Sequence, residues 1–274
     1  MKKISIFFLF FAILSGVAKE KRFVSLAPSI TEILFSLGQE KHLVGVTDFC
    51  KDPSGKTDLS QRCIGGIIQI NYEAILAKKP SFVFVLNDQI DASKKLKKLG
   101  IKTLVVNHRS YEAVLESYLS IGKACNENKK ALALHKKIST NISLLKKPKK
   151  KVRVLVTISS LYGQNNVILW SVGQEKFYNK FISLCGATNA YTGQLRYAQL
   201  APEGLLSIDP DMIIILSPLL SKEKQKLEIK AWQKLSFLKA VKNKNVKIIN
   251  HPSTLIPGSQ IDKVLEQFSK AINE

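Results

Sequence analysis

Several short features of this 274-residue sequence carry side chains that could do chemistry. His108 and His251 each stand in an Asn-His-x-Ser tetrapeptide at the end of an apolar run, LVVNHRS in one case and KIINHPS in the other. Such a run reads as a β-strand with the imidazole at its carboxyl end, where open α/β sheets place their ligand crevice. A neutral ring nitrogen there can hold a hydrogen bond or ligate a metal, so His108 and His251 are candidates for both roles. Glu73 and Glu203 each open a short helical stretch, and the helix dipole alone favours a carboxylate there by about 0.3–1 kcal/mol. Their equivalent settings suggest more, namely two acidic knobs on one face, placed to meet arginines of a partner. Phe49, Trp170, Tyr191 and Tyr197 fall in loop-like contexts and offer flat faces to a large planar or apolar ligand.

Catalysis has little to stand on. Ser54-Gly55-Lys56-Thr57 resembles the end of a phosphate loop, but the first glycine of that motif would fall on Cys50, and no strand feeds the loop. The hydrolase elbow, the two-histidine zinc helix and the EF-hand loop do not occur. Four cysteines contain no C-x-x-C, which argues against a zinc or redox site. Cys50 and Cys63 bracket a loop rich in Pro, Gly and Ser and are the candidate disulfide, whereas Cys125 and Cys185 read as buried thiols.

The elements that must position these groups alternate. Phe23–Ala27 reads as a strand, Ser29-Ile-Thr-Glu32 as a capping box opening a helix that Gly38 ends, and Leu43–Val46 as the next strand. Strands alternating with helices imply parallel pairing and right-handed crossovers. The plan also repeats. EAILAKKPSFVFVL from Glu73 overlays EGLLSIDPDMIIIL from Glu203, with glutamate, apolar pair, proline and strand at the same offsets, and the two Asn-His-x-Ser segments follow in the same order. Two matched segments in one order predict two lobes of similar α/β plan. Between them, Asn126–Leu145 lacks Gly and Pro and spaces Ala131, Leu134, Ile138, Ile142 and Leu145 by threes and fours. That spacing predicts one amphipathic helix about 30 Å long, a stiff strut between lobes.

Lys2 and Lys3 precede an apolar run from Ile4 to Leu14 and the small residues of Gly16-Val17-Ala18. This reads as a cleavable export signal over residues 1–18, too short to span a bilayer, and with no nearby cysteine for a lipid anchor. The expected organisation is therefore a signal at 1–18, an N-terminal lobe at 19–125, a linking helix at 126–147 and a C-terminal lobe at 148–274. A formal charge of +21 would permit polyanion contact, but the lysines are scattered through helix-like segments such as SKKLKKLG. They read as a solvated surface, with no nucleic-acid partner.

Together RFVSLAPSITEILFSLG, LVGVTDFCKDP, GGIIQINYEAILAKKPSFVFV, SVGQEKFYNKFISLCGATNAY and LAPEGLLSIDPDMIII resemble the Fe³⁺-siderophore/haem/cobalamin class of solute-binding proteins for ABC importers. The resemblance implies a rigid, monomeric, periplasmic receptor with no turnover chemistry and no resident cofactor. It also implies two lobes joined by one helix, with a ligand held between them. Glu73 and Glu203 match the glutamates with which such proteins dock on their permease, itself coupled to an ATPase. The membrane would be met only through that permease. SPSITE-like and VGVTDYC-like segments are most similar to cobalamin-binding members, which places Phe49, Trp170 and Tyr197 around a corrin and His251 in the ligand region. Ile67 stands where those members have an aromatic. Haem, a ferric siderophore or another metal chelate is the alternative cargo, and an exported enzyme using His108 or His251 is the rival of another kind.

Overall fold

The computed structural model describes residues 20–158, 161–163, 168–218 and 220–274; the expected export signal lies outside them. The chain opens with β1 (Phe23–Ser25), α1 (Pro28–Ser36) and β2 (Leu43–Val46), followed by α2 (Tyr72–Ala77), β3 (Phe82–Leu86), α3 (Ile90–Lys98) and β4 (Thr103–Val106). Their strands form a wholly parallel sheet in the order β2-β1-β3-β4. Two helices then run back to back, α4 (Tyr111–Ala124) and α5 (Asn128–Ser143).

The second half comprises β5 (Arg153–Thr157), β6 (Leu169–Val172), α6 (Lys176–Leu184), β7 (Thr188–Asn189), β8 (Tyr197–Leu200), α7 (Pro202–Ile208), β9 (Met212–Leu216), α8 (Lys222–Gln233), α9 (Lys239–Lys242), β10 (Val246–Ile249) and α10 (Ile261–Asn273). Its sheet runs β10-β9-β5-β6-β8, with β7 on β5; β6 pairs antiparallel with both neighbours. The expected α/β class with two mainly parallel sheets is what forms.

The sequence repeat is a structural one. β3 and β9 begin 130 residues apart, and their neighbours pair in matching register, Val83 with Thr103 and Ile213 with Val246. Side-chain burial repeats as well: Glu73 and Glu203 are exposed, whereas Ile75 and Leu205 are fully buried.

Two local expectations fail. α1 is not opened by a capping box. Extended Ala27 precedes it and Pro28 occupies its first turn, which suits the fixed φ and missing N–H of proline. The Ser29 hydroxyl and Glu32 carboxylate are spent on tertiary partners instead. The linking helix spans residues 128–143 rather than 126–147, about 24 Å at 1.5 Å per residue. Asn126, at φ 57°, makes the turn out of α4. Close approach explains the tightness of that turn: a Cβ on Gly122 of α4 would lie 2.2 Å from the Ala131 Cβ of α5.

One apolar core runs through the whole molecule. It joins Ile30, Leu34 and Phe84 of the first half to Ala131 and Ile138 of α5 and to Val154, Ile214 and Phe268 of the second. Side chains packed at crystal-like density transmit strain instead of absorbing it, so α5 is a strut embedded in a common core. Smaller separate cores lie on the outer face of each sheet.

Candidate functional site

The crevice that this plan predicts lies between the two sheets at their carboxyl ends. Ala27, Pro28, Ser29, Leu86, Asn87, Asp88, His108 and Arg109 line it from the first half. Glu175, Phe177, Tyr178, Arg196 and Tyr197 line it from the second, and Leu255, Ile256 and Pro257 complete the wall. It encloses about 320 Å³. A larger open groove of about 640 Å³ between α8 and β10 receives no residue from the first half and is no interlobe site.

His108 sits in this wall but is buried between two serines. Its Nδ1 lies 2.8 Å from Ser29 Oγ and its Nε2 2.9 Å from Ser117 Oγ. Ser117 donates its own proton to the Val114 carbonyl at 2.6 Å, so His108 must donate from Nε2 and accept from Ser29 at Nδ1. Burial pushes the imidazole down to about 4, which keeps it neutral. With both nitrogens engaged, His108 is a structural pin, not an open metal ligand. His251 does not line the crevice. Its Nδ1 accepts from the Ser253 amide at 3.1 Å, and burial with Lys263 nearby holds its pKa below the usual range. The two imidazoles therefore share no ligand position, and among the described residues no group of three or more His, Cys, Asp or Glu could hold a metal ion.

Of the three aromatics expected around a ligand, only Tyr197 lines the crevice. Its phenol is pushed up to about 12 by burial and by Glu175. Phe49 is 74% exposed at φ 65° and borders a separate depression with Cys50, Asp52 and Cys63. Trp170 is half-exposed on β6, outside the crevice wall. Tyr191 packs against Gly173 and Gly193 instead. Ile67 does reach the wall. Cys50 and Cys63 are both free thiols. Cys50 Sγ is buried and accepts from Thr31 Oγ1 at 3.2 Å, and its desolvation raises the thiol pKa, whereas Cys63 is exposed. The expected disulfide is not formed.

The polar groups that dominate the wall are ones the sequence motifs did not mark. Arg109 follows His108 and pairs with Asp88. Arg196 lies over the Tyr197 ring at 5.6 Å and 3.6 Å from Glu175. Glu175 is buried and also caps α6, accepting from the Tyr178 amide at 2.8 Å. The variable position in Asn-His-x-Ser, arginine in one copy and proline in the other, was the available signal for Arg109. Arg196 had none beyond its neighbour Tyr197.

Glu73 and Glu203 are exposed on α2 and α7, each three residues before a leucine that is exposed too, Leu76 and Leu206. α2 is capped by the Asn71 side chain, which accepts from the Ala74 amide at 2.9 Å, and α7 opens on Pro202.

Twin α/β lobes on a shared core, with a crevice between their strand tips, define a two-lobed solute receptor. The model of the periplasmic binding protein family matches residues 23–252, and the chain belongs to that family, whose members bind solutes and are not enzymes. The "Uncharacterized ABC transporter substrate-binding lipoprotein YvrC" of Bacillus subtilis is 26% identical, with 92% of this chain and 80% of that protein covered. The Fe(3+)-citrate-binding protein YfmC of the same organism is 26% identical over 82% of this chain and 72% of its own. A vitamin B12-binding protein of Vibrio vulnificus is 21% identical, covering 78% of each. Among solved structures, the haem-binding protein HutB of Vibrio cholerae superposes with a TM-score of 0.76, at 22% identity, over 93% of this chain and all of that one. The resemblance read from the sequence motifs thus holds for family and fold.

Proposed function

We propose that this chain is the substrate-binding component of an ABC importer and that its cleft captures an anionic metal chelate, of the ferric-siderophore or iron–carboxylate kind. The supporting observation is Arg109 and Arg196, one from each lobe, in a single crevice wall. A guanidinium presents a rigid donor fork that matches carboxylate geometry, and two forks facing one cavity suit a ligand carrying several carboxylates. Each arginine leans on one acid, Asp88 or Glu175, which steadies it before the ligand arrives. A cavity of about 320 Å³ suits a compact chelate and lies at the lower end of the usual range for small-molecule sites, about 300–1,000 Å³. The iron would be cargo, carried by its chelator, with no protein ligand required.

A corrinoid is the second reading. The flat face of Tyr197 and the vitamin B12-binding relative favour it; the positions of Phe49 and Trp170 outside the crevice wall, and the bulk of a corrin, weigh against it. Calorimetric titration with ferric citrate, cyanocobalamin and haemin, side by side, tests the assignment. Ferric citrate is expected to bind tightest; preference for cyanocobalamin or haemin would replace it.

Delivery to the permease and its ATPase would use Glu73 and Glu203, exposed at equivalent places on the two lobes. The receptor would act as a monomer in the periplasm, free of nucleic acid and of direct membrane insertion. YvrC is named a lipoprotein, whereas this chain is read as exported through a cleaved signal; palmitate labelling of the expressed protein distinguishes the two routes.

A further inference from the structure

After β10 the chain does not return directly to its own lobe. Residues 250–260 are fastened on both sides of the cleft before α10 begins. Tyr178 of α6 donates to the Thr254 carbonyl at 2.9 Å, and Tyr118 of α4 donates to the Gly258 carbonyl at 2.8 Å. Just before the first anchor, Ser253 Oγ donates to Glu32 Oε1 of α1 at 2.6 Å. Glu32 Oε2 is buried and makes no hydrogen bond of ordinary length. The amides of Ser259 and Gln260 and the ammonium of Lys263 face the carboxylate. A Cβ on residue 258 would lie 2.4 Å from Oε2, so a larger residue there would displace the carboxylate. Leu255, Ile256 and Pro257, held between these contacts, are cleft wall.

We propose that Glu32 is a positioning residue for solute capture: its side chain keys into the space at Gly258, accepts from Ser253, and holds the 255–257 wall of the cleft against the first lobe. The proposal rests on the reading of the interlobe crevice as the solute site. A buried carboxylate is a costly way to fill space, because apolar side chains of similar volume pack as well without desolvating charge. What a carboxylate adds is a fixed acceptor at a lobe junction. Burial also raises its pKa to about 7. The other titratable groups around it are Lys263 and Asp262 on α10, His251 in the segment itself and the Tyr118 phenol of α4.

Four variants and two readouts test this in the full chain. Hydrogen exchange of the 251–260 amides needs no ligand: Glu32→Ala should accelerate it about tenfold, the scale of one lost buried hydrogen bond, while α1 stays protected. Gly258→Ala attacks the same contact from the opposite side and should do likewise. In Glu32→Ala/Gly258→Ala the new methyl occupies the vacated space, so the pair should be less exposed than the sum of the singles. Unchanged exchange in both single variants, or strictly additive effects, overturns the proposal. Affinity for ferric citrate is the second readout. Glu32→Ala should lose about tenfold, whereas Glu32→Gln, which keeps the shape and the acceptor, should stay within about twofold near pH 5.5. If wild type binds no ferric citrate, the chelate reading fails, and the exchange experiment still judges the strap.

Discussion

The two lobes share a scaffold and differ where they line the crevice. β1, β3 and β4 of the first correspond to β5, β9 and β10 of the second, and α1 and α6 both run into a glycine at positive φ, Gly38 and Gly186. The divergence begins at the next strand. In the first lobe β2 is a full strand lying parallel on β1; its counterpart β7 makes only two residue pairs with β5, and the β6–β8 ladder takes over that edge. The first lobe instead spends residues 47–71 on a long loop, braced by Asp52, whose carboxylate accepts from the amides of Ser54, Lys56 and Thr57 at 2.7–3.2 Å. One lobe thus presents its variable surface on a loop and the other on a strand pair. Arg196 and Tyr197 ride on the strand pair into the cleft. A duplicated fold can keep its core periodicity while its two recognition surfaces go separate ways, because edges and loops carry few of the packing constraints that hold a core.

The sharpest use of that comparison is at the parts that have not diverged. If Glu73 and Glu203 engage one partner, Glu73→Ala with Glu203→Ala should abolish solute uptake by cells while the titration curve of the purified protein stays put. The two single variants should lose similar fractions of uptake; a loss confined to one lobe breaks the equivalence of the knobs, and a loss of binding removes the docking role. At the diverged wall the effects should be smaller and unequal. Arg109→Ala and Arg196→Ala should each weaken ferric citrate binding by about 10–100-fold, the scale of one charge-assisted contact of 1.5–3 kcal/mol. Arg196→Ala should be the worse of the two by calorimetry, because it strands Glu175, which is buried, whereas Asp88 is open to water.

How much of this could be read from the sequence follows the same division. The repeat was legible down to the offset of 130 residues, because strand and helix periods leave their mark on every residue of a core element. Glu73 and Glu203 were legible for the same reason, as surface positions locked to that period. Ser29 and Glu32 were misread as a local cap: their spacing fits a capping box, but the partners that win, His108 and Ser253, are 79 and 221 residues away. Phe49 and Trp170 lie outside the crevice wall, because an aromatic near a strand says nothing about which side of the sheet edge it occupies. Arg109 and Arg196 were missed because a cation comes to line a crevice only through the cleft that two distant segments build.

The smallest effect expected is in the wild type, and it comes from the repeated histidines. His108 is buried and neutral, with a pKa near 4 against 6.5 when unfolded, so folding stability should be lost as pH falls through 6.5 toward 4, by up to roughly 3 kcal/mol. Its counterpart His251 is only half-buried, and its shift in the same direction adds to that trend. Glu32 opposes it. Its pKa of about 7 against 4.5 means that stability is fully present below 4.5 and is lost as pH rises through 7, by a similar roughly 3 kcal/mol. Between about pH 5 and 6.5 the two slopes have opposite sign and nearly equal size, so urea midpoints of the wild type should barely move. Removing one partner exposes the other. Glu32→Gln should become less stable toward acid, and His108→Gln, which keeps a donor and an acceptor between the two serines, should become less stable toward neutral pH. His251→Gln should change the profile least. A wild type whose midpoint slopes steeply across that window, or a Glu32→Gln variant as flat as the wild type, would show that the junction between the lobes does not carry the buried carboxylic acid described for it.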